Sequence, residues 1–210
     1  MGTAVFSLGM TIAFAALGLS ACNGNTSERR TGSDRRAPAV SADSFTVRPT
    51  VAWPATSSID DGALLSLTKS SDRTDSELRA LVARSPVPVL APKDLRLATA
   101  TLMVEGEYFA LAGHVDELGS RATISIQGTR AAHRYEGIDP KAGDRALRAS
   151  GAVRGFVSVN EGIRTASWIE NGGAYSVDVE CSDVHDARCQ TEGFLLSIVA
   201  QLTYVGGSGR

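Results

Sequence analysis

The residues of this chain best suited to metal binding or acid–base chemistry are its histidines and their acidic neighbours. Residues 114–117 (His-Val-Asp-Glu) and residues 183–186 (Asp-Val-His-Asp) each place an imidazole beside carboxylates, the donor types that many metal sites use. Neither segment has an established ligand spacing, and Asp is common in turns at the ends of strands. We therefore expect solvated loop residues at both places, no metal site and no cofactor.

The common short catalytic motifs are missing from the chain: G-x-S-x-G, the P-loop, G-x-G-x-x-G, H-E-x-x-H and C-x-x-C. Ser66-Leu67-Thr68-Lys69 matches S-x-x-K, but the S-D-N and K-T-G motifs that accompany it in penicillin-recognising enzymes do not occur. Strand alternation would place Glu105 and Glu107 on one face as a carboxylate pair, as in many exposed hairpins. We predict no catalytic residue and a protein that is not an enzyme.

The N-terminal residues carry a different kind of signal. Residues 1–22 contain no Asp, Glu, Lys or Arg, and residues 10–19 are almost wholly apolar. This run is too short to span a bilayer comfortably and is typical of the apolar region of a secretory signal peptide. Leu19-Ser20-Ala21-Cys22 follows it, and the composition then becomes polar. These four residues resemble the lipobox of bacterial lipoproteins.

The resemblance implies that signal peptidase II removes residues 1–21 as a signal peptide and that Cys22 becomes the lipidated N-terminus. A three-chain lipid anchor would hold the protein firmly to a membrane, because each buried methylene contributes about 0.8 kcal/mol. Asn23 stands where inner-membrane retention signals usually have Asp. We therefore expect an outer-membrane lipoprotein that faces the periplasm or the cell surface.

The other two cysteines, Cys181 and Cys189, are predicted to form a disulfide, because an exported protein folds in an oxidising compartment. A zinc site is the weaker alternative. The two cysteines lack zinc-ribbon spacing, and His185 between them would be a lone third ligand.

Composition limits the remaining choices. The 210 residues are 43% apolar with a formal net charge of −2, which excludes the strongly basic balance of a typical nucleic-acid binder. Residues 22–44 contain no aromatic side chain and are predicted to be a flexible tether. Four arginines between residues 29 and 36 could meet anionic head groups, but the acidic residues 28 and 34 favour a simple solvated linker.

Apolar residues alternate between positions 45 and 53 as in a strand, while Pro49 and Pro54 restrict the segment to an edge. We predict an extended surface arm over residues 45–70 and a globular domain over residues 71–206. The domain begins with a helix whose capping box joins Thr74 and Glu77. Pro86 ends this helix, and residues 86–92 are extended.

Strand patterns dominate the rest of the domain. They cover residues 97–104 and 107–115, joined by a turn at Glu105-Gly106, and residues 122–127 and 153–159. Residues 137–150 are predicted to be a loop with one helical turn around Ala146. A two-residue turn within Asn171-Gly172-Gly173 creates a hairpin with Trp168 and Tyr175 on one face. We expect this aromatic pair to be core, the alternative being a recognition surface.

An apolar stripe from Phe194 to Leu202 predicts a C-terminal helix over residues 192–204, and residues 207–210 form a disordered tail. The fold class is α+β: an antiparallel sheet of five to six strands covered by an N-terminal and a C-terminal helix. A small barrel or sandwich is the alternative, and it would require the last helix to be a strand.

These patterns together predict a membrane-anchored envelope lipoprotein with a non-enzymatic domain that is structural or binds an envelope protein. One alternative is a periplasmic carrier of lipids or small molecules, with a cavity lined by Trp168, Tyr175 and Phe194. A less favoured alternative is an enzyme with a site around His114 or residues 183–186.

Overall fold

The computed structural model describes residues 45–47, 50–55, 59–117, 119–134, 143, 145–148 and 153–207. Only the backbone is described for residues 45–47 and 132–134. The predicted signal peptide of residues 1–21, Cys22, the tether of residues 22–44 and the tail residues 208–210 lie outside the described residues.

Strands outnumber helices in the described chain. The helices are α1 (Asp61–Ser70), α2 (Asp75–Val82), α3 (Ala187–Gln190) and α4 (Gly193–Gln201). The strands are β1 (Phe45–Val47), β2 (Val89–Pro92), β3 (Ala98–Glu105), β4 (Tyr108–Glu117), β5 (Ser120–Thr129), β6 (Ala132–Arg134), β7 (Arg145–Ala146), β8 (Arg154–Asn160), β9 (Ile163–Glu170), β10 (Gly173–Cys181) and β11 (Leu202–Gly206).

The main sheet is antiparallel, with the strand order β3-β4-β5-β10-β9-β8-β7. Two meanders, β3-β4-β5 and β8-β9-β10, meet where β5 pairs with β10. The β9–β10 turn consists of Asn171 and Gly172, with φ of 50° and 77°, the left-handed values that a tight hairpin turn requires. This turn places Trp168 directly opposite Tyr175, which confirms the prediction of a two-residue turn with both side chains on one face.

Two small antiparallel sheets complete the described fold: β1 pairs with β6, and β11 pairs with β2. The arm residues after β1 run beside the β9–β10 turn, where the Ala52 amide donates to the Asn171 carbonyl at 2.9 Å.

The predicted capping box begins α2. The Thr74 hydroxyl accepts from the Glu77 amide at 3.3 Å, and a Glu77 carboxylate oxygen accepts from the Thr74 amide at 2.8 Å. These hydrogen bonds hold the pKa of Glu77 below its usual range. Among the described residues, no helix combines the length and apolar character needed to cross a membrane.

Three sequence-based predictions of secondary structure are wrong. Residues 61–70 form helix α1 rather than part of an extended arm, because Asp60 caps the helix by accepting from the Ala63 amide at 3.0 Å. Ala146 lies in strand β7 and not in a helical turn, since β8 supplies a pairing partner. The predicted C-terminal helix ends at Gln201, and the chain continues as β11 because β2 offers a free edge.

The sheet has seven strands, not five or six, since β7 joins it. The first hairpin turn also differs by one residue: Glu105 pairs with Tyr108, so the turn is Gly106-Glu107. The coarser prediction of an antiparallel sheet accompanied by a few helices is confirmed.

The core lies on one face of the main sheet, against which α1, α2 and α4 pack. A row of aromatic and glycine residues crosses this face. In order along the row, the opposed residues are Phe109, Gly128, Tyr175, Trp168 and Gly155. Trp168 and Tyr175 stack with ring centroids 5.7 Å apart and are 3% and 2% exposed, so the prediction of a core pair is confirmed.

Cys181 and Cys189 form a disulfide, as predicted, with Cα atoms 6.1 Å apart. The bond joins the end of β10 to α3, immediately before α4. It therefore ties one of the helices on the covered face to the strand on which that helix packs.

Candidate functional site

The face of the main sheet that α1, α2 and α4 leave open carries two neighbouring rows of side chains that run across the strands. The first row extends from β8 to β5 through Phe156, Ser167, Ser176 and Gln127. The second row extends from β9 to β4 through Ile169, Ala174, Thr129 and Tyr108. Successive side chains of a strand alternate between its faces, so both rows face away from the core.

Together these rows line a groove of about 700 Å³ on the open face. Its lining residues are Tyr108, Gln127, Gly128, Thr129, Ala131, Phe156, Ser167, Trp168, Ile169, Ala174, Tyr175 and Ser176. Phe156, on β8, and Tyr108, on β4, stand at opposite ends of the two rows. Small side chains between them form the floor.

The aromatic core row lies directly beneath this floor. A Cβ atom on Gly128 would lie 2.3 Å from Cε1 of Phe109 and 2.8 Å from Cε1 of Tyr175. The glycine therefore lets the two rings, with centroids 6.4 Å apart, pack across β5. The rings in turn support the strands that form the floor, so the groove rests on a well-packed layer.

Uncharged groups dominate the chemistry of the groove. Hydroxyls of serine and threonine and the Gln127 amide supply donors and acceptors, while Phe156, Tyr108 and Ile169 supply apolar surface. A carboxylate lies at the rim: Asp178 accepts from the Gln127 amide nitrogen at 3.3 Å and from the Thr165 hydroxyl at 2.7 Å. This combination of aromatic walls and neutral polar groups suits an uncharged, amphipathic ligand.

The carrier hypothesis predicts a different cavity, lined by Trp168, Tyr175 and Phe194. The structure packs Trp168 and Tyr175 in the core, where the Tyr175 hydroxyl donates to the Pro88 carbonyl at 3.2 Å. Burial raises the pKa of Tyr175 far above its usual value. Phe194 is half-buried on α4, with the Arg188 guanidinium 5.9 Å from its ring centroid.

His114 forms a small polar cluster at one end of β4. Its Nδ1 lies 3.0 Å from the Thr99 hydroxyl, and its Nε2 lies 3.1 Å from a carboxylate oxygen of Asp116. Arg121 donates to the same carboxylate at 2.9 Å, and this guanidinium holds the pKa of Asp116 below its usual range. Thr99 sits at φ 48° in a β-bulge, so the cluster marks an irregular end of β3.

The carboxylates of residues 183–186 act in turns and caps. Asp183 accepts from the His185 amide at 2.9 Å, and Asp186 caps α3 by accepting from the Arg188 amide at 2.9 Å. Arg188 also donates to the Val115 carbonyl at 3.2 Å, which links the disulfide loop to the end of β4. The hydrogen bonds from Arg188 hold the pKa of the Asp186 carboxyl well below its usual range.

A half-buried polar network that the sequence did not reveal surrounds Glu170. The carboxylate accepts from the Tyr204 hydroxyl at 2.6 Å and from the Trp168 indole at 3.1 Å, and it pairs with Arg148 at 3.3 Å. Burial and the neighbouring Glu170 raise the pKa of Tyr204 far above its usual value. Because its members satisfy one another, we interpret the network as a tie between β9, β11 and the segment after β7.

Ser66 and Lys69 lie on α1 and line a second, smaller depression of about 390 Å³ together with Lys93, Asp94 and Arg96. The carboxylate pair considered at Glu105 and Glu107 does not share a strand face, since Glu107 belongs to the turn. Within the described part of the chain, no group of three or more His, Cys, Asp and Glu side chains is arranged to hold a metal ion.

The sequence did not indicate the groove, because the alternation of apolar residues identifies only the core-facing side chains of each strand. The side chains on the opposite face were not considered as a possible binding surface. The outward positions of β5 from Thr123 to Thr129 carry no charge, unlike a typical solvent face. Phe156 likewise occupies an outward position of β8. A strand whose outward-facing residues carry no charge is the signal that could have indicated a binding face.

Comparisons of the chain with protein-family models, with curated proteins and with solved structures produce no match.

Proposed function

We propose that this protein is an envelope lipoprotein whose domain binds a protein partner through the groove on its open sheet face. The observation that carries the proposal is the groove itself, about 700 Å³ in volume and lined by aromatic, aliphatic and neutral polar side chains. We infer a partner that presents an uncharged, extended segment with apolar side chains. Such a segment can place its side chains against Phe156 and Tyr108 and its peptide groups against the hydroxyls of the floor.

The exposed apolar side chains on this face support a binding role. Phe156 is 38% exposed and Met103 is 45% exposed, while the neighbouring Ala110 is half-buried. An apolar surface framed by polar groups is the composition of a protein interaction site. Among the described residues, no Lys, Arg, Asp, Glu or His lines the groove, so neither a strongly charged partner nor acid–base chemistry is favoured there.

The anchor is part of the proposal. We infer that residues 1–21 are removed, that Cys22 carries the lipid, and that residues 22–44 tether the domain to the outer membrane. The lipobox sequence Leu19-Ser20-Ala21-Cys22 supports this location, as does the disulfide between Cys181 and Cys189, which is typical of an exported protein. We also propose that the domain belongs to the α+β class, with helices on one face of the sheet.

Site-specific photocrosslinking tests the groove. We expect a photoreactive phenylalanine analogue at position 156 to capture the partner in intact cells, because this side chain stands at one end of the groove. Position 159 is the matched control: Val159 lies on the same strand, is 55% exposed and faces the other side of the sheet. Equal capture from both positions would count against the groove.

A blocking variant separates specific from incidental capture. Ala174→Arg places a long cation on the half-buried floor, and we expect it to abolish the crosslink from position 156. A circular dichroism spectrum and a disulfide titration verify that the variant is folded. A crosslink that survives this substitution would assign the partner to another surface.

Replacement of the lipidated cysteine tests the anchor separately. We expect Cys22→Ser to release the protein from membranes and to remove the acyl mass seen by mass spectrometry of the parent. If the variant stays membrane-bound at the same mass, the lipid anchor is wrong, whatever the outcome at the groove.

A further inference from the structure

The side chain of Gln127 stands at the β5 end of the first row of the groove and is exposed there. A primary amide carries two donors on its nitrogen and an acceptor on its oxygen, so its orientation decides what it offers to a ligand. Nε2 of Gln127 lies 3.3 Å from the Ser125 hydroxyl oxygen and 3.3 Å from a carboxylate oxygen of Asp178. Both hydrogens of this nitrogen therefore have acceptors within the chain.

Asp178 determines this orientation of the amide. An ionised carboxylate only accepts hydrogen bonds, so the amide group that faces it must be the nitrogen. The other carboxylate oxygen accepts from the Thr165 hydroxyl at 2.7 Å, which fixes Asp178 from strand β9. Among the described residues, neither Ser125 nor Asp178 lines the groove. The amide nitrogen is thus directed away from the groove, and the oxygen Oε1 is left on the groove side.

This oxygen is available to a ligand. Among the described residues, no donor forms a hydrogen bond with Oε1 of Gln127. Water satisfies the oxygen in the free protein, and a partner that covers the groove removes that water. An acceptor buried without a donor costs about 1–3 kcal/mol. A partner that binds well must therefore supply a donor at this point.

The two ends of the groove differ in their polar groups. At the β4 end of the second row, the Tyr108 hydroxyl donates to a carboxylate oxygen of Glu105 at 3.4 Å, so the phenolic oxygen remains an acceptor. At the opposite ends of the rows, Phe156 and Ile169 have no polar side-chain atoms. The serine and threonine hydroxyls between them can donate or accept. Acceptors therefore concentrate over β4 and β5, and apolar surface over β8 and β9.

We propose that Gln127 is a specificity-determining residue of the groove: its amide oxygen, positioned by Asp178, accepts from a peptide N–H group of the partner segment. The proposal rests on the proposed function, because it concerns the same groove. An extended segment has free N–H groups, whereas those of a helix beyond its first turn are bonded internally. The contact therefore favours an extended segment and excludes proline at the bonded position, since proline has no N–H.

Backbone ester analogues of a peptide test this contact. The probe is a capped, fluorescently labelled, uncharged peptide in which valine and serine alternate, and the receptor is the full chain in detergent micelles. In each analogue an ester oxygen replaces one peptide N–H group. We expect one analogue to bind the parent protein about tenfold more weakly than the all-amide peptide does, measured by fluorescence anisotropy. Gln127→Met should bind that analogue and the all-amide peptide equally.

Asp178→Asn tests the positioning role. The asparagine amide can donate to Oε1 as well as accept from Nε2, so Gln127 is no longer held in one orientation. We expect the difference between the two peptides to fall below about threefold, whereas a general loss of structure would weaken both peptides alike. Thr123→Ala alters the same face of β5 outside the groove and should leave the full difference in place.

Three outcomes would contradict the role of Gln127. No ester analogue binds more weakly than the all-amide peptide, or the weakened analogue is weakened equally in Gln127→Met, or Asp178→Asn leaves the difference unchanged. If position 156 still captures a partner in cells, such a result leaves the groove in place and removes only the contact at Gln127. Loss of that capture, together with the failure of every peptide to bind, would remove the groove itself and this contact with it.

Discussion

The two faces of the β9–β10 hairpin are made of the same two strands and have opposite roles. On the covered face, Trp168 and Tyr175 are almost fully buried and stack at 5.7 Å. On the open face, the directly adjacent Ser167 and Ser176 form part of a groove floor. Each strand therefore directs one set of alternate side chains into the core and the other set toward the groove that we propose as a binding surface.

This division lets the groove change in composition at little cost in folding free energy. Substitutions on the open face alter groups that already contact solvent, and such changes usually stay within about 0.5 kcal/mol. Substitutions on the covered face leave cavities or force overlaps, which cost several times more. Variants that differ only in the face they alter test this difference between the two faces.

The largest effect is expected for adjacent residues of β9. Trp168→Ala should lower the free energy of unfolding by about 3–5 kcal/mol, because it removes a buried ring that stacks on Tyr175 and donates to Glu170. Ser167→Ala should change it by less than about 0.5 kcal/mol. Urea unfolding at pH 7 measures both, and similar losses for the two variants would contradict the division between the faces.

Loss of the disulfide should be next in size. The bond closes a loop with a sequence separation of 8, so replacing Cys181 and Cys189 with Ser should destabilise the domain by about 2.5 kcal/mol through the entropy of the unfolded chain. Thermal unfolding of the variant and of the parent, with and without a reductant, measures this effect. A reductant that destabilises the variant as much as the parent would show that another feature responds to it.

A smaller loss is expected from adding a single methyl group beneath the groove. Gly128→Ala would place a Cβ atom 2.3 Å from Cε1 of Phe109, and we expect the resulting overlap to cost about 1–3 kcal/mol. Phe109→Leu creates room at that point, so Gly128→Ala should cost less in a Phe109→Leu background. Urea unfolding of the four proteins completes the cycle, and strict additivity would mean that the ring is not the obstacle.

The smallest effect is a dependence on pH at the disulfide loop. Arg188 holds the pKa of Asp186 below the unfolded value of about 3.9, so the carboxylate stabilises the fold above that pH. The contribution is lost as the pH falls through the folded pKa. Asp186→Asn should therefore lower the unfolding midpoint at pH 7, and its difference from the parent should shrink progressively below about pH 4. Asp183→Asn, which retains an acceptor for the His185 amide, is the control.

Local patterns in the sequence predicted much of the covered face. Strand alternation in residues 122–127 identified Ala122, Ile124 and Ile126, all fully buried, and the two-residue turn within residues 171–173 put Trp168 and Tyr175 on one face. The capping box and the cysteine pair were likewise predictable, because each depends on residues close together in the chain. The groove was not, because its two aromatic ends, Tyr108 and Phe156, lie on strands β4 and β8, which only the order of the sheet brings to one groove.

The sequence by itself determined the alternation of buried residues in the central strands, the tight turn between β9 and β10 and the capping box of α2, since backbone sterics and local hydrogen bonds decide these features. The tertiary structure alone decided that β5 pairs with β10, that the chain after Gln201 becomes a strand, and that β3 is the last strand at one end of the main sheet. Strand pairing joins residues distant in the chain, and its free energy depends on the whole surface that is buried, which no local pattern contains.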